Sequence, residues 1–149
     1  MIASKNCINL IKLFEGYKAK AYLCPASVMT IGWGSTMYTD GSKIKSGDTI
    51  NEQQAEQLLM WELKNKSISL HGLNLNQNQF DSLLSFVYNL GIGAFAKSTL
   101  KKKILANPND PSIKLEFMKW NKARVGGQLM ELKGLTRRRT AEAELYFKK

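Results

Sequence analysis

The apolar residues of this chain change period twice, and those two changes limit what it can fold into. From Ser4 the positions Cys7, Ile8, Ile11 and Phe14 recur at helical spacing behind a capping serine, which predicts a first helix to about Glu15-Gly16. From Ala19 to Ser46 the pattern breaks into short β-prone pieces. Pro25, Gly32, Gly34 and an Asp40-Gly41 hairpin signal punctuate them, which predicts a small antiparallel sheet. Helical periodicity returns at Asn51-Glu52-Gln53-Gln54, a capping-box form, and runs through Leu58, Leu59 and Leu63 to about Ser67. This segment is expected to link the two parts.

A second capping-box form, Asn76-Gln77-Asn78-Gln79, precedes Phe80, Leu83, Leu84, Val87 and Tyr88, a stripe broad enough for a buried central helix that Gly91 and Gly93 end. Ser98 caps a short basic helix to about Ala106. Asp110-Pro111 opens another, with Ile113, Phe117 and Trp120 as its apolar face. Gly126-Gly127 marks a turn, and Leu135 to Tyr146 is helical in composition. The expectation is an α+β chain of one catalytic domain over residues 1–149. A β lobe of about 16–50 would sit beside a helical lobe of about 51–149 that also takes in the first helix, with a cleft between them.

Composition excludes several classes. No apolar run approaches the roughly 18 residues that a bilayer span needs, so membrane insertion is not expected. Lys12 and Glu15 interrupt the opening segment early, so it does not read as a secretory signal. Cys7 and Cys24 lack partners at metal-ligand spacing, as does His71, so neither a metal nor another cofactor is expected and the thiols are taken as reduced. The formal charge of +10 calls for an anionic partner. Its basic residues are spread over Lys64, Lys66, Lys101 to Lys103 and Arg137 to Arg139, not interleaved with aromatics, so no specific nucleic-acid partner is expected.

The chemistry gathers around the first change of period. Glu15, Cys24 and Thr30 are separated by eight residues and then five, among Gly16, Gly32 and Gly34. Taken singly, such residues are ordinary structural ones. Together they suit hydrolysis of a glycosidic bond, which needs an acid for the leaving oxygen and a second group to steady the cationic transition state or activate water. Glu15 supplies the proton and Thr30 holds the water. Cys24 could assist as a thiolate, either electrostatically or as a base, although a free thiol, with a pKa of about 8.5, is mostly neutral at pH 7.

Four motifs give the chain its resemblance to the phage-type lysozymes, the muramidase endolysins that include the T-even and lambdoid phage lysozymes. They are Phe14-Glu15-Gly16 with Ala21-Tyr22, Cys24 and Thr30-Ile31-Gly32-Trp33-Gly34; Asn78 to Leu83 running into Phe86 to Gly91; Phe95 with Ser98-Thr99-Leu100; and Gly134-Leu135 followed by Arg137 to Arg139 and Ala141 to Tyr146. The resemblance implies a lysozyme-like fold. It implies Glu15 as general acid, position 24 as the second catalytic group, where Cys replaces the commoner Asp, and Thr30 as the water-positioning residue. The implied reaction is inverting hydrolysis of the β-1,4 link between N-acetylmuramic acid and N-acetylglucosamine, with peptidoglycan glycan strands as partner and a monomer as the working form. An arginine of the last helix, Arg138 by first choice among Arg137, Arg138 and Arg139, would pair with Glu15.

Asn89, Trp33 and Ser35 complete the expected substrate-binding set, Ser35 standing where many members of the family have His. The resemblance also implies accumulation in the host cytoplasm until release to the wall at lysis. Two other readings fit the residues: a lytic transglycosylase, which needs only one acid/base, and a catalytically silent basic domain that binds the wall. A minor idea is that Cys7 and Cys24 pair under oxidation and silence the site.

Overall fold

Ser4 starts the first helix by accepting the backbone N–H of Asn6 on its hydroxyl at 3.2 Å. In the computed structural model, which describes residues 1–149, this helix is α1 (Lys5–Glu15). Gly16 ends it at φ +71°, a backbone state that side chains other than glycine's rarely tolerate. Glu15 is therefore the last helical residue and faces the segment that follows. That segment is the hairpin β1 (Lys18–Leu23) and β2 (Met29–Gly32), antiparallel, with Tyr22 opposite Thr30 and an irregularity between Lys18 and Tyr22. Bridges Ile31 to Ser35, Met37 to Lys43 and Lys20 to Thr49 tie down the loop beyond it.

Helix α2 (Glu52–Lys66) has both bonds of its capping box in place, Gln54 N–H to Asn51 Oδ1 at 2.8 Å and Asn51 N–H to Gln54 Oε1 at 3.1 Å. A single 3₁₀ turn (Ser67–Leu70) extends it. Its side chains divide between two apolar clusters. Leu58 joins Ile31 and Ile44 in a small one under the hairpin, while Leu59 and Leu63 join the main core. Gly32 lets α2 approach this closely, because a Cβ there would lie 3.0 Å from that of Ala55.

The central helix α3 (Gln77–Leu90) is buried over nine consecutive residues, Gln79 to Val87, and its capping box is also complete. Around it lie α4 (Ile92–Lys97), α5 (Thr99–Ala106), α6 (Ile113–Met118) and α7 (Lys133–Tyr146). Phe86 on α3 meets Phe95, Phe117 and Trp120 edge-on, with ring centroids 5.7 to 6.2 Å apart.

Three details differ from the sequence expectation: the helix expected from Asp110-Pro111 begins only at Ile113 and ends at Met118, short of Trp120. Gly91 does end α3, at φ +96°, but Gly93 lies inside α4, because the chain turns at once into another helix. Gly126-Gly127 is more than a turn: it joins an exposed hairpin, β3 (Lys122–Val125) and β4 (Gln128–Glu131). Both glycines have positive φ, +59° and +84°, as a tight two-residue hairpin turn requires. The fold class is α+β as expected, with no helix long and apolar enough to cross a membrane.

Candidate active site

A cleft of about 710 Å³ opens at the C-terminal end of α1 and is lined by Leu13, Phe14 and Glu15, by Asn89 of α3, and by Leu132, Gly134, Leu135, Arg137 and Arg138 around the start of α7. Glu15 reaches into it as the last helical residue. Arg138 lies across from it, almost fully buried, and its Nη1 donates to Glu15 Oε1 at 2.8 Å; the two side chains are 4% and 20% exposed. Of the three adjacent arginines, then, Arg138 pairs with Glu15, Arg139 turns inward, and Arg137 stays exposed on the cleft rim.

The other oxygen of Glu15 rests against backbone. A Cβ at Gly34 would lie 2.6 Å from Glu15 Oε2 and 3.2 Å from its carboxyl carbon, and Gly34 has φ +95°. Glycine is required there twice over, for conformation and for space. The loop is held by Tyr88 of α3, whose hydroxyl donates to Trp33 O at 2.8 Å. Burial, and then the nearby carboxylates of Glu62 and Glu15, push the Tyr88 phenol well above its ordinary pKa, so it remains a donor.

Cys24, in the hairpin turn, meets Thr30 of β2, and neither is among the residues that line this cleft. The backbone N–H of Val28 chiefly, and the Thr30 hydroxyl and other turn N–H groups less strongly, bring the Cys24 thiol below its ordinary range, against the opposing effect of desolvation. Thr30 is nearly buried and its hydroxyl lies 3.0 Å from Val28 O, to which it donates. A hydroxyl carries one proton, so Thr30 serves either Val28 O or a Cys24 thiolate at a given moment. Tyr22, paired across the strands with Thr30, responds to both candidate groups: burial first, then the charges of Glu15 and Cys24, raise its phenol. Cys7 is sealed in the core, and both cysteines are free thiols.

The expected substrate-binding residues separate. Asn89 lines the cleft, and its carbonyl Oδ1 accepts Arg139 Nη2 at 2.7 Å. Since arginine only donates, this fixes the amide with its NH₂ turned away from Arg139. Ser35 does not line the cleft. It is fully buried, its backbone is paired with Ile31, and its hydroxyl is set toward Glu62 and Tyr88. The bridge that closes the loop turns this side chain inward. Trp33 lies outside the cleft lining, half-buried: its ring is 5.2 Å from that of Tyr17, the Lys12 ammonium sits 5.1 Å from its centroid, and it borders the main core. Sequence reasoning gave Tyr22, Tyr88 and Glu142 no role of their own: Tyr22 comes opposite Thr30 by local strand pairing, while Tyr88 reaches Trp33 O and Glu142 reaches Ser85 only through tertiary contacts.

The family model for phage lysozyme matches residues 12–142. The chain is 40% identical to an endolysin of Acyrthosiphon pisum secondary endosymbiont phage 1, over 98% of each protein. Two longer Bacillus phage endolysins also match, and the chain spans about half the length of each. Among solved structures it superposes on the endolysin from Escherichia coli O157:H7 phage FAHEc1 with a TM-score of 0.90 at 35% identity, covering 99% of this chain and 94% of that one. It superposes on the muramidase domain of SpmX from Asticaccaulis excentricus with a TM-score of 0.86 at 30% identity, covering 98% and 97%.

Proposed function

The chain belongs to the phage lysozyme family, a family of glycosidase-type hydrolases that lyse peptidoglycan, and from that premise we propose that it is an endolysin muramidase. It hydrolyses the β-1,4 bond between N-acetylmuramic acid and N-acetylglucosamine in the wall of its host and brings about lysis. One observation carries this reading: a carboxyl at a helix end, gripped by a buried arginine across a cleft and pressed by a glycine that leaves room for nothing larger.

In the proposed reaction Glu15 gives its proton to the glycosidic oxygen as the bond to the anomeric carbon breaks. A water held near Thr30 attacks that carbon from the opposite face and passes its proton to Cys24. Inversion follows, as in enzymes that leave room for a water between acid and base. Two properties favour Cys24 in this role: its thiol is shifted toward the thiolate, and Thr30 lies beside it. Asn89 offers its free amide to the sugar, and Arg138 holds Glu15 in place.

The test is clearance of peptidoglycan suspensions by the native chain and Glu15→Gln, with mass spectrometry of the fragments. Reducing ends from the native chain and a loss of about a thousand-fold or more in the variant are expected. Equal clearance would sink the reading. Anhydro ends would mean a lytic transglycosylase, and wall pelleting without fragments a silent binding domain.

A further inference from the structure

Helix α7 carries a carboxylate that the proposed reaction leaves without a task. Glu142 is fully buried, where an ionised side chain persists only if it is paired. Its Oε2 accepts the Ser85 hydroxyl at 2.6 Å, Arg139 Nη2 at 3.2 Å and Arg138 Nε at 3.4 Å. Its Oε1 lies 2.7 Å from Arg139 Nε, a close ion pair in which the N–H is not aimed at the oxygen. Burial pushes the Glu142 carboxyl up and the Arg139 guanidinium down, and the charge of each opposes the shift of the other.

The two arginines leave this carboxylate for different walls of the cleft. Arg138 Nη1 goes to Glu15 and Arg139 Nη2 to Asn89. Residues 138 and 139 stand four and three positions before Glu142, the two helical spacings whose side chains lie over the same face. A guanidinium is flat and rigid, so fixing one edge decides where the other edge points. Ser85 O also accepts Arg138 Nη2 at 3.3 Å. The rings of Phe14 and Phe86 lie 5.8 and 5.1 Å from the guanidinium carbons of Arg138 and Arg139. Two negative and two positive groups thus form one nearly dry cluster, with Glu142 at its centre.

We infer that Glu142 is a positioning residue that sets both walls of the cleft at once, orienting the Glu15 carboxyl through Arg138 and the Asn89 amide through Arg139. This rests on the reading of Glu15 as the acid. It differs from a purely structural role in what it does to kinetics. A variant that merely unfolds in part loses active molecules, which lowers the apparent kcat and leaves KM alone. A variant that releases both arginines lowers kcat through Glu15 and raises KM through Asn89.

The experiment measures kcat and KM on soluble peptidoglycan glycan fragments for the native chain, Glu142→Gln, Arg139→Gln and Glu15→Gln. Glu142→Gln, which keeps the shape and removes the charge, is expected to lower kcat about ten-fold or more and raise KM about three-fold or more. Arg139→Gln is expected to raise KM alike while kcat stays within about three-fold of native. Native values of both constants in Glu142→Gln, or a fall in kcat with KM unchanged, overturn the inference.

If Glu142→Gln does not fold, Ser85→Ala takes its place, since it leaves both charges and removes only the hydroxyl that donates to the carboxylate and accepts Arg138 Nη2 at 3.4 Å. There both constants are expected to move about two- to three-fold in the same directions. Native values in Ser85→Ala then overturn the inference. The Glu15→Gln arm separates the two readings: native activity there removes the acid, whereas an inactive Glu15→Gln beside a native Glu142→Gln removes only the role of Glu142.

Discussion

Gly34 shows how one residue without a side chain governs one with chemistry. The space a Cβ would occupy is taken by the Glu15 carboxylate, 2.6 Å away, and φ +95° disfavours any other residue. Gly34→Ala is therefore expected to cut peptidoglycan clearance about a hundred-fold, with about 1–3 kcal/mol lost in urea unfolding. A variant that clears peptidoglycan at the native rate would mean that the contact does not govern activity. Cys24 makes a prediction in pH. The turn N–H groups, Val28 first, lower its thiol, so the thiolate survives to lower pH than in a free cysteine. In the proposed reaction Cys24 is the base, so the rate is expected to rise with pH through this titration and to fall away below it. Cys24→Asp is expected to move that limb down toward the ordinary carboxylate range, about 3.9, and Cys24→Ser to abolish it. The same limb in Cys24→Ser, read from a pH–rate profile, would remove Cys24 as the base.

At the scale of elements, caps and turn glycines decide where each helix and hairpin begins. Asn76 closes the capping box of α3, the most deeply buried helix, at a distance from the cleft. Asn76→Ala is expected to cost about 1 kcal/mol in urea unfolding, with clearance per folded molecule unchanged. A cost near zero would show that packing alone holds that end. Both capping boxes and the Ser4 and Ser98 caps are legible in sequence because cap and partner are two or three residues apart. The β3–β4 hairpin was less legible. Its strands are exposed over most of their length and only four residues each, so the alternation of Lys122 to Val125 is too short to stand out and only Gly126-Gly127 announces it.

For the molecule as a whole, a charge of +10 sets a long-range attraction toward an anionic wall. Screening shortens its reach from about 30 Å at 0.01 M salt to about 10 Å at 0.1 M. The initial clearance rate is expected to fall several-fold over that range, with little change in kcat on short neutral glycans. A salt-independent rate on whole walls would show that the charge does not steer encounter. The two apolar clusters meet along α2, where Leu58 belongs to one and Leu59 to the other.

The order and bounds of most elements, the α+β class and the candidate set Glu15, Cys24 and Thr30 are legible along the chain, because each signal lies within a short stretch. How those residues are held depends on contacts between distant segments. Arg138 meets Glu15 across 123 positions, and no local pattern chooses it over its two arginine neighbours. Helical phase does: residue 138 faces the cleft and the core together, residue 139 the core, residue 137 solvent. Ser35 and Trp33 lie beside Gly34 in sequence yet do not line the cleft, since a bridge turns Ser35 inward and Trp33 packs at a tilt against Tyr17. Only packing separates neighbours in the chain into those that line the cleft and those that support it.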